Sequence, residues 1–122
     1  MVIILVIATI SGTKLNQLGE NKIKINLTID YGDHANSEIL SVSNRSTVFD
    51  ALNQTHNVSY KEYSIGVFIT SIDGISQDSE HSWLYFVNGK LPSISADNYV
   101  LNGNESVIFK YVSNTEAMKY FK

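Results

Sequence analysis

The chain has 122 residues, of which 43% are hydrophobic and 17% charged, with a formal net charge of -3. This size and composition fit one folded domain and exclude a disordered chain, because apolar residues recur along nearly the whole length. The mild acidity and the lack of a Lys/Arg cluster exclude a nucleic-acid binder, which needs a basic footprint, and the absence of cysteine excludes disulfides, thiolate metal sites and a Cys nucleophile.

The first feature along the chain is the apolar run Val2 to Ile10, followed by small and polar residues from Ser11 to Thr13. It is too short for a membrane span, which needs about 20 residues, but it matches a secretory h-region in length. No Lys or Arg precedes it, so residues 1–21 are expected to be the remnant of a truncated export signal or membrane anchor, plus a spacer. The competing reading is an edge or core strand rich in Ile and Val.

From Lys22 to Asp30 the sequence alternates, with Ile23, Ile25, Leu27 and Ile29 on one side and Lys24, Asn26, Thr28 and Asp30 on the other, which predicts a half-buried strand. Tyr31 to Asn36 has turn chemistry, and Glu38 to Ser43 predicts the second strand of a hairpin. In Ser46 to Asn53 a hydroxyl N-cap precedes Val48, Ala51 and Leu52 at helical spacing. Thr47 and Asp50 resemble a capping box, and one short helix is expected to end near Asn53 to Asn57. Val58 to Tyr63 and Gly66 to Ile72 read as extended, closed by Asp73-Gly74. Ser82 to Val87 reads as an apolar strand ending at Asn88-Gly89, a dipeptide suited to a type I′ turn. The turn Asn102-Gly103-Asn104 precedes a last strand, Glu105 to Val112, and residues 114–122 read as an amphipathic tail. A hairpin, one helix and further strands predict an α+β fold, a β-grasp-like mixed sheet with one short helix packed on one face.

Asn-x-Ser/Thr triplets begin at Asn26, Asn44, Asn53, Asn57 and Asn104, a modest excess over what this Asn-, Ser- and Thr-rich composition supplies by chance. They make these asparagines glycosylation candidates and point to a secreted or cell-surface protein, because the modification needs a solvent-facing side chain in an exported chain.

Catalytic chemistry is sparse. His34, His56 and His81 fall in separate loops and read as solvated, with no metal-ligand spacing. Asp73, Asp78 and Glu80 crowd one loop but match no EF-hand, so a polar turn outweighs a cation site. There is no phosphate-binding Gly loop, no Gly-x-Ser-x-Gly elbow and no carboxylate pair in an acid/base context, so an enzyme is not expected. The distinctive feature is aromatic: alternation puts Trp83 and Tyr85 on one side of a strand and Leu84 and Phe86 on the other. One helix covers one face of a sheet, and Lys110 beside Ile108 and Val112 suggests that the second face is partly open. The aromatic strand then either marks a contact surface or is core on both faces, covered by the N-terminal segment or the tail.

The stretches 46–52, Gly66 to Gly74, Ser82-Trp83-Leu84-Tyr85-Phe86-Val87-Asn88-Gly89-Lys90, 96–101 and 102–105 together resemble the transcobalamin C-terminal-like domain family. The resemblance covers about Lys22 to Val112 and implies a β-grasp-like domain at 22–113, of unknown function, in exported and surface proteins. In transcobalamins this domain closes as a lid on cobalamin held against a helical barrel, and this sequence has no such barrel. By resemblance alone, Trp83, Tyr85, Asn88 and Gly89 become candidate ligand contacts and cobalamin a candidate ligand, with no cofactor otherwise indicated. Asn102-Gly103-Asn104 stands where the family usually carries an acidic Asp-Gly-Asp turn.

The sequence thus predicts a non-enzymatic exported or surface binding module that contacts a small, corrinoid-like ligand or a partner domain through an aromatic sheet face. A membrane would be reached only through an N-terminal anchor. The alternative is a structural or adhesive cell-envelope module without small-ligand binding.

Overall fold

The computed structural model describes residues 21–121; the expected export remnant lies outside the described residues, apart from Asn21. The elements are β1 (Lys22–Asp30), β2 (Ala35–Ser43), α1 (Val48–Thr55), β3 (Val58–Tyr63), β4 (Gly66–Ile72), β5 (Ile75–Ser76), β6 (His81–Val87), β7 (Ser106–Ser113) and α2 (Asn114–Met118), followed by a 3-10 turn at Lys119–Phe121. Seven strands form two sheets, one ordered β2-β1-β7-β6 and the other β3-β4-β5. The larger sheet is mixed, since β1 runs parallel to β7 while β1–β2 and β6–β7 are antiparallel.

The alternation of β1 sets the layers. Ile25, Leu27 and Ile29 are buried and share their face with Val107, Phe109 and Trp83, which the register brings alongside. Helix α1 seals this face with Val48, Ala51 and Leu52. Its start is the capping box read from the sequence: Asp50 N–H donates to Thr47 Oγ1 at 3.1 Å and Thr47 N–H to the Asp50 carboxylate at 2.9 Å. The single helix on one face of a mixed sheet is therefore present.

Two features go beyond the expectation. Strands β3 to β5 form a sheet of their own and add Ile72 to the same core, because β3 and β4 close locally as a hairpin and leave β6 at the edge of the larger sheet. The tail is ordered: α2 and the 3-10 turn lie on the opposite face, where Tyr120 packs edge-on to Phe86 at 5.0 Å, Ala117 is buried and Lys110 reaches Glu116 at 3.8 Å. The face expected to be open beside Lys110 is thus covered, with Val112 and Phe86 both buried. On that side β1 and β2 leave Lys24, Asn26, Ser37, Ile39 and Ser41 exposed.

Candidate functional site

Where β4 and β6 diverge, the chain from Leu91 to Asn98 crosses between them and borders a half-open cavity of about 490 Å³. Its walls include Val67 and Ile69 of β4, Trp83, Leu84 and Tyr85 of β6, Ala96 and Phe109, and its rim carries the exposed side chains of Ile65, Phe68, Ile94 and Phe121. Among the described residues, no Lys, Arg, Asp, Glu or His lines it. A concave, mostly apolar space with a few polar groups is the usual form of a small-ligand site.

The crossing segment is fixed by polar contacts that the sequence did not disclose. Val67 N–H donates to Asp97 Oδ1 at 2.9 Å, and Ser95 Oγ and Asn98 Nδ2 both donate to Ile65 C=O at 3.2 Å. The Val67 amide and the Ser95 hydroxyl hold the Asp97 carboxyl below the usual range, despite some loss of hydration. Gly66, at φ +137°, passes so close that a Cβ there would lie 1.9 Å from Ser95 Oγ. From the other wall, Tyr85 donates its hydroxyl to Ile94 C=O at 2.5 Å, and burial pushes its phenol well above the ordinary tyrosine value.

The candidate contacts divide. Trp83 and Tyr85 both line the cavity. Trp83 is only 8% exposed, and its indole N–H donates to Ile75 C=O at 2.9 Å. Its side chain faces the core beneath α1, so the expected open aromatic face is corrected: the aromatic residues are reached from the edge of β6. Asn88 and Gly89, at φ +51° and +82°, form a tight turn outside the cavity lining. The Asn88 side chain accepts from Ser106 N–H at 2.9 Å, which extends the β6–β7 ladder by one residue. The five candidate asparagines, Asn26, Asn44, Asn53, Asn57 and Asn104, are all exposed.

A second polar constellation corrects the reading of His56 as a solvated loop residue. His56 caps the C-terminus of α1, and its side chain is 14% exposed between two carboxylates, Asp73 at 2.7 Å from Nδ1 and Glu38 at 2.9 Å from Nε2. Asp73 also accepts from Tyr31 Oη at 2.5 Å and from Asn57 N–H at 3.1 Å. Burial opposes its ionisation, but the bonds from Tyr31, His56 and Asn57 outweigh this and hold the carboxyl below the usual range. Tyr31 moves the other way, to about 12, through burial and then its bond to Asp73. Because the two carboxylates approach opposite ring nitrogens, the cluster does not converge on one point, and among the described residues no group of three His, Cys, Asp or Glu could hold a metal ion. Asp78, expected in one loop with Asp73, is separated from it by β5 and turns instead to Glu80 N–H and His81 Nδ1, at 2.8 and 3.0 Å.

Among the described residues no helix is long and apolar enough to cross a membrane. Comparison with solved structures agrees on the fold. A Ruminococcus gnavus protein provisionally described as metal-binding superposes with a TM-score of 0.69 at 19% identity, over 75% of this chain and 98% of that one. Haptocorrin, solved in complex with Cbi (cobinamide), superposes with a TM-score of 0.67 at 20% identity over 83% of this chain, which corresponds to 27% of haptocorrin. No curated protein matches the sequence. The family profile described as "Domain of unknown function (DUF4430)" matches residues 45–113, from the turn before α1 to the last residue of β7. Matched over more than half its length, the chain belongs to this family, the transcobalamin-like C-terminal domains.

Proposed function

We propose that this protein is a non-enzymatic binding module that takes a small ligand, or a segment of a partner domain, into the cavity between β4, β6 and residues 91–98. The observation that carries this reading is the cavity itself, about 490 Å³ with a largely apolar wall. Trp83 and Tyr85 supply the contact surface, and the Asn88-Gly89 turn ends the open part of β6. A corrinoid is the first ligand to test, because haptocorrin, which shares the fold, was solved with cobinamide. We assign the binding domain to residues 22–113, with 114–122 as a tail against its outer face. We place the protein outside the cell or at its surface, supported by the apolar run at Val2 to Ile10 and the five exposed sequons.

Trp83 is the only tryptophan, so its indole N–H gives one NMR signal inside the site. Titration with cobinamide is expected to move that signal saturably together with the Tyr85 amide. No movement at millimolar cobinamide removes corrinoids as ligands. The second reading, a structural or adhesive envelope module, draws support from the exposed apolar rim of Ile65, Phe68, Ile94 and Phe121. Concentration-dependent self-association in sedimentation, with the rim protected in the assembly, would favour it over the first.

A further inference from the structure

The cavity lies along the edge of a strand, and the backbone groups there narrow what it can hold. Trp83 and Tyr85 point to one face of β6 and Leu84 to the other, yet all three line the cavity, so the open space runs beside the strand itself. Among the described residues, β6 is the last strand of its sheet. Asn88 N–H donates to Ser106 C=O at 2.8 Å, which sets the phase of the ladder: Ser82, Leu84 and Phe86 turn their backbone groups to β7, and Trp83 and Tyr85 turn theirs to the unpaired side.

That side is closed at both ends. Val87 exchanges two hydrogen bonds with Lys90, at 2.9 and 3.1 Å, and His81 C=O accepts from Asp78 N–H at 3.1 Å. Between these closures, no hydrogen bond among the described residues reaches the Trp83 or Tyr85 amide. On the facing wall the Val67 N–H also points away from β3 and is taken by Asp97, and Ile69, two residues on, turns the same way. A purely apolar guest would strip water from these backbone groups and leave them unmatched, whereas a guest with donors and acceptors at strand spacing would match them. Trp83 and Tyr85 are two residues apart, a separation of about 6.8 Å along a strand, which is the repeat of an extended peptide.

Resting on the reading of this cavity as a binding site, we propose that its ligand is an extended, uncharged peptide segment with apolar side chains, which pairs with Trp83 and Tyr85 as an added strand on β6. The uncharged walls select against ionised side chains, and the closures at Val87 and His81 limit pairing to about three guest residues.

The test uses the ¹⁵N-labelled full chain and the capped tripeptide acetyl-Val-Leu-Val-N-methylamide. Expected are saturable shifts of the Trp83 and Tyr85 amides, about tenfold slower hydrogen exchange at both, and little slowing at Leu84 and Phe86, which already pair with β7. N-methylating peptide amides of one parity should weaken binding about fivefold or more, and those of the other parity less than twofold, because only alternate amides face β6. Binding without this alternation overturns the proposal, since the peptide would then merely fill apolar space. Equal affinity for acetyl-leucine N-methylamide overturns the peptide in favour of a small amide-bearing ligand. If 8-anilinonaphthalene-1-sulfonate shifts the Trp83 indole signal and the tripeptide does not, this inference fails and the binding site stands; if neither does, both fail.

Discussion

Asp73 shows how much a single turn residue can organise. It sits at φ +52° in the β4–β5 turn and gathers Tyr31, His56 and Asn57 onto one carboxylate. Because the folded carboxyl ionises at lower pH than the unfolded one, its stabilisation is complete above the ordinary aspartate value, about 4, and is lost as pH falls through the lowered value. Asp73→Asn should therefore cost about 1–2 kcal/mol at neutral pH, a figure discounted for partial solvent exposure, and should flatten the acid limb of stability. Urea unfolding at a series of pH values checks this, and an unchanged acid limb would assign that limb to other carboxylates. Glu105 gives a sharper case, since it is 7% exposed and accepts from Asn102 and Gly103 N–H at 2.7 and 2.6 Å. Glu105→Ala leaves those two amides without their acceptor in a mostly closed turn, and should cost about 2–3 kcal/mol in urea unfolding. The role of Asp73 was not legible in the sequence: it lies 17 residues from His56 and 42 from Tyr31, and spacing carries no signal across such separations.

At the scale of elements much more was readable. Strict alternation in β1, the capping box of α1 and the Asn88-Gly89 turn each follow from local chemistry, and every expected element starts and stops within a few residues of its expected place, while β5 and α2 were not expected. The division into two sheets was not readable, because β3 to β5 carry the same strand signals whether or not they join the larger sheet. The cavity was hidden for the same reason, since its walls come from β4, β6 and an irregular segment whose docking depends on side-chain bonds 30 to 33 residues long in sequence. The apolar character of β6 on both faces did carry a true signal: both faces are covered, one by α1 and the other by the tail. Gly66 is the point at which local backbone and tertiary docking meet. Gly66→Ala would both strain a left-handed backbone and drive a methyl group into Ser95, displacing the Asp97 cap on Val67. The expected outcome is a loss of about 2–4 kcal/mol together with amide shifts concentrated at residues 93–98. Wild-type stability in this variant would mean that the crossing segment is not seated on the hairpin as described.

For the whole molecule, the two sheets should differ in how readily they open. β1 and β7 are interior strands, each paired on both sides, and they hold Leu27, Val107 and Phe109 at 1% exposure or less. The smaller sheet reaches that depth mainly at Ile72 of β4, while β3 is exposed along five of its six residues. It is tied to the rest by discrete polar contacts at both ends, with Asp73, Ile75 C=O and Ser76 C=O held by His56, Trp83 and Tyr111 at one end, and Ile65 and Val67 held by Ser95, Asn98 and Asp97 at the other. Such a layer can lift as a unit while the larger sheet stays paired, and lifting it would open the cavity wall formed by β4. Native-state hydrogen exchange should therefore show the β3–β4 amides exchanging through a partial opening at least about 2 kcal/mol easier than the opening that exposes β1 and β7. Asp73→Asn should lower this partial opening by as much as it lowers global stability or more, because its contacts are broken in both. A ligand held between β4 and β6 should raise it, since opening this wall releases the ligand. Equal protection across both sheets would instead make the cavity wall part of one cooperative unit, and a ligand would then have to enter through the rim at Ile65, Ile94 and Phe121 without the second sheet moving.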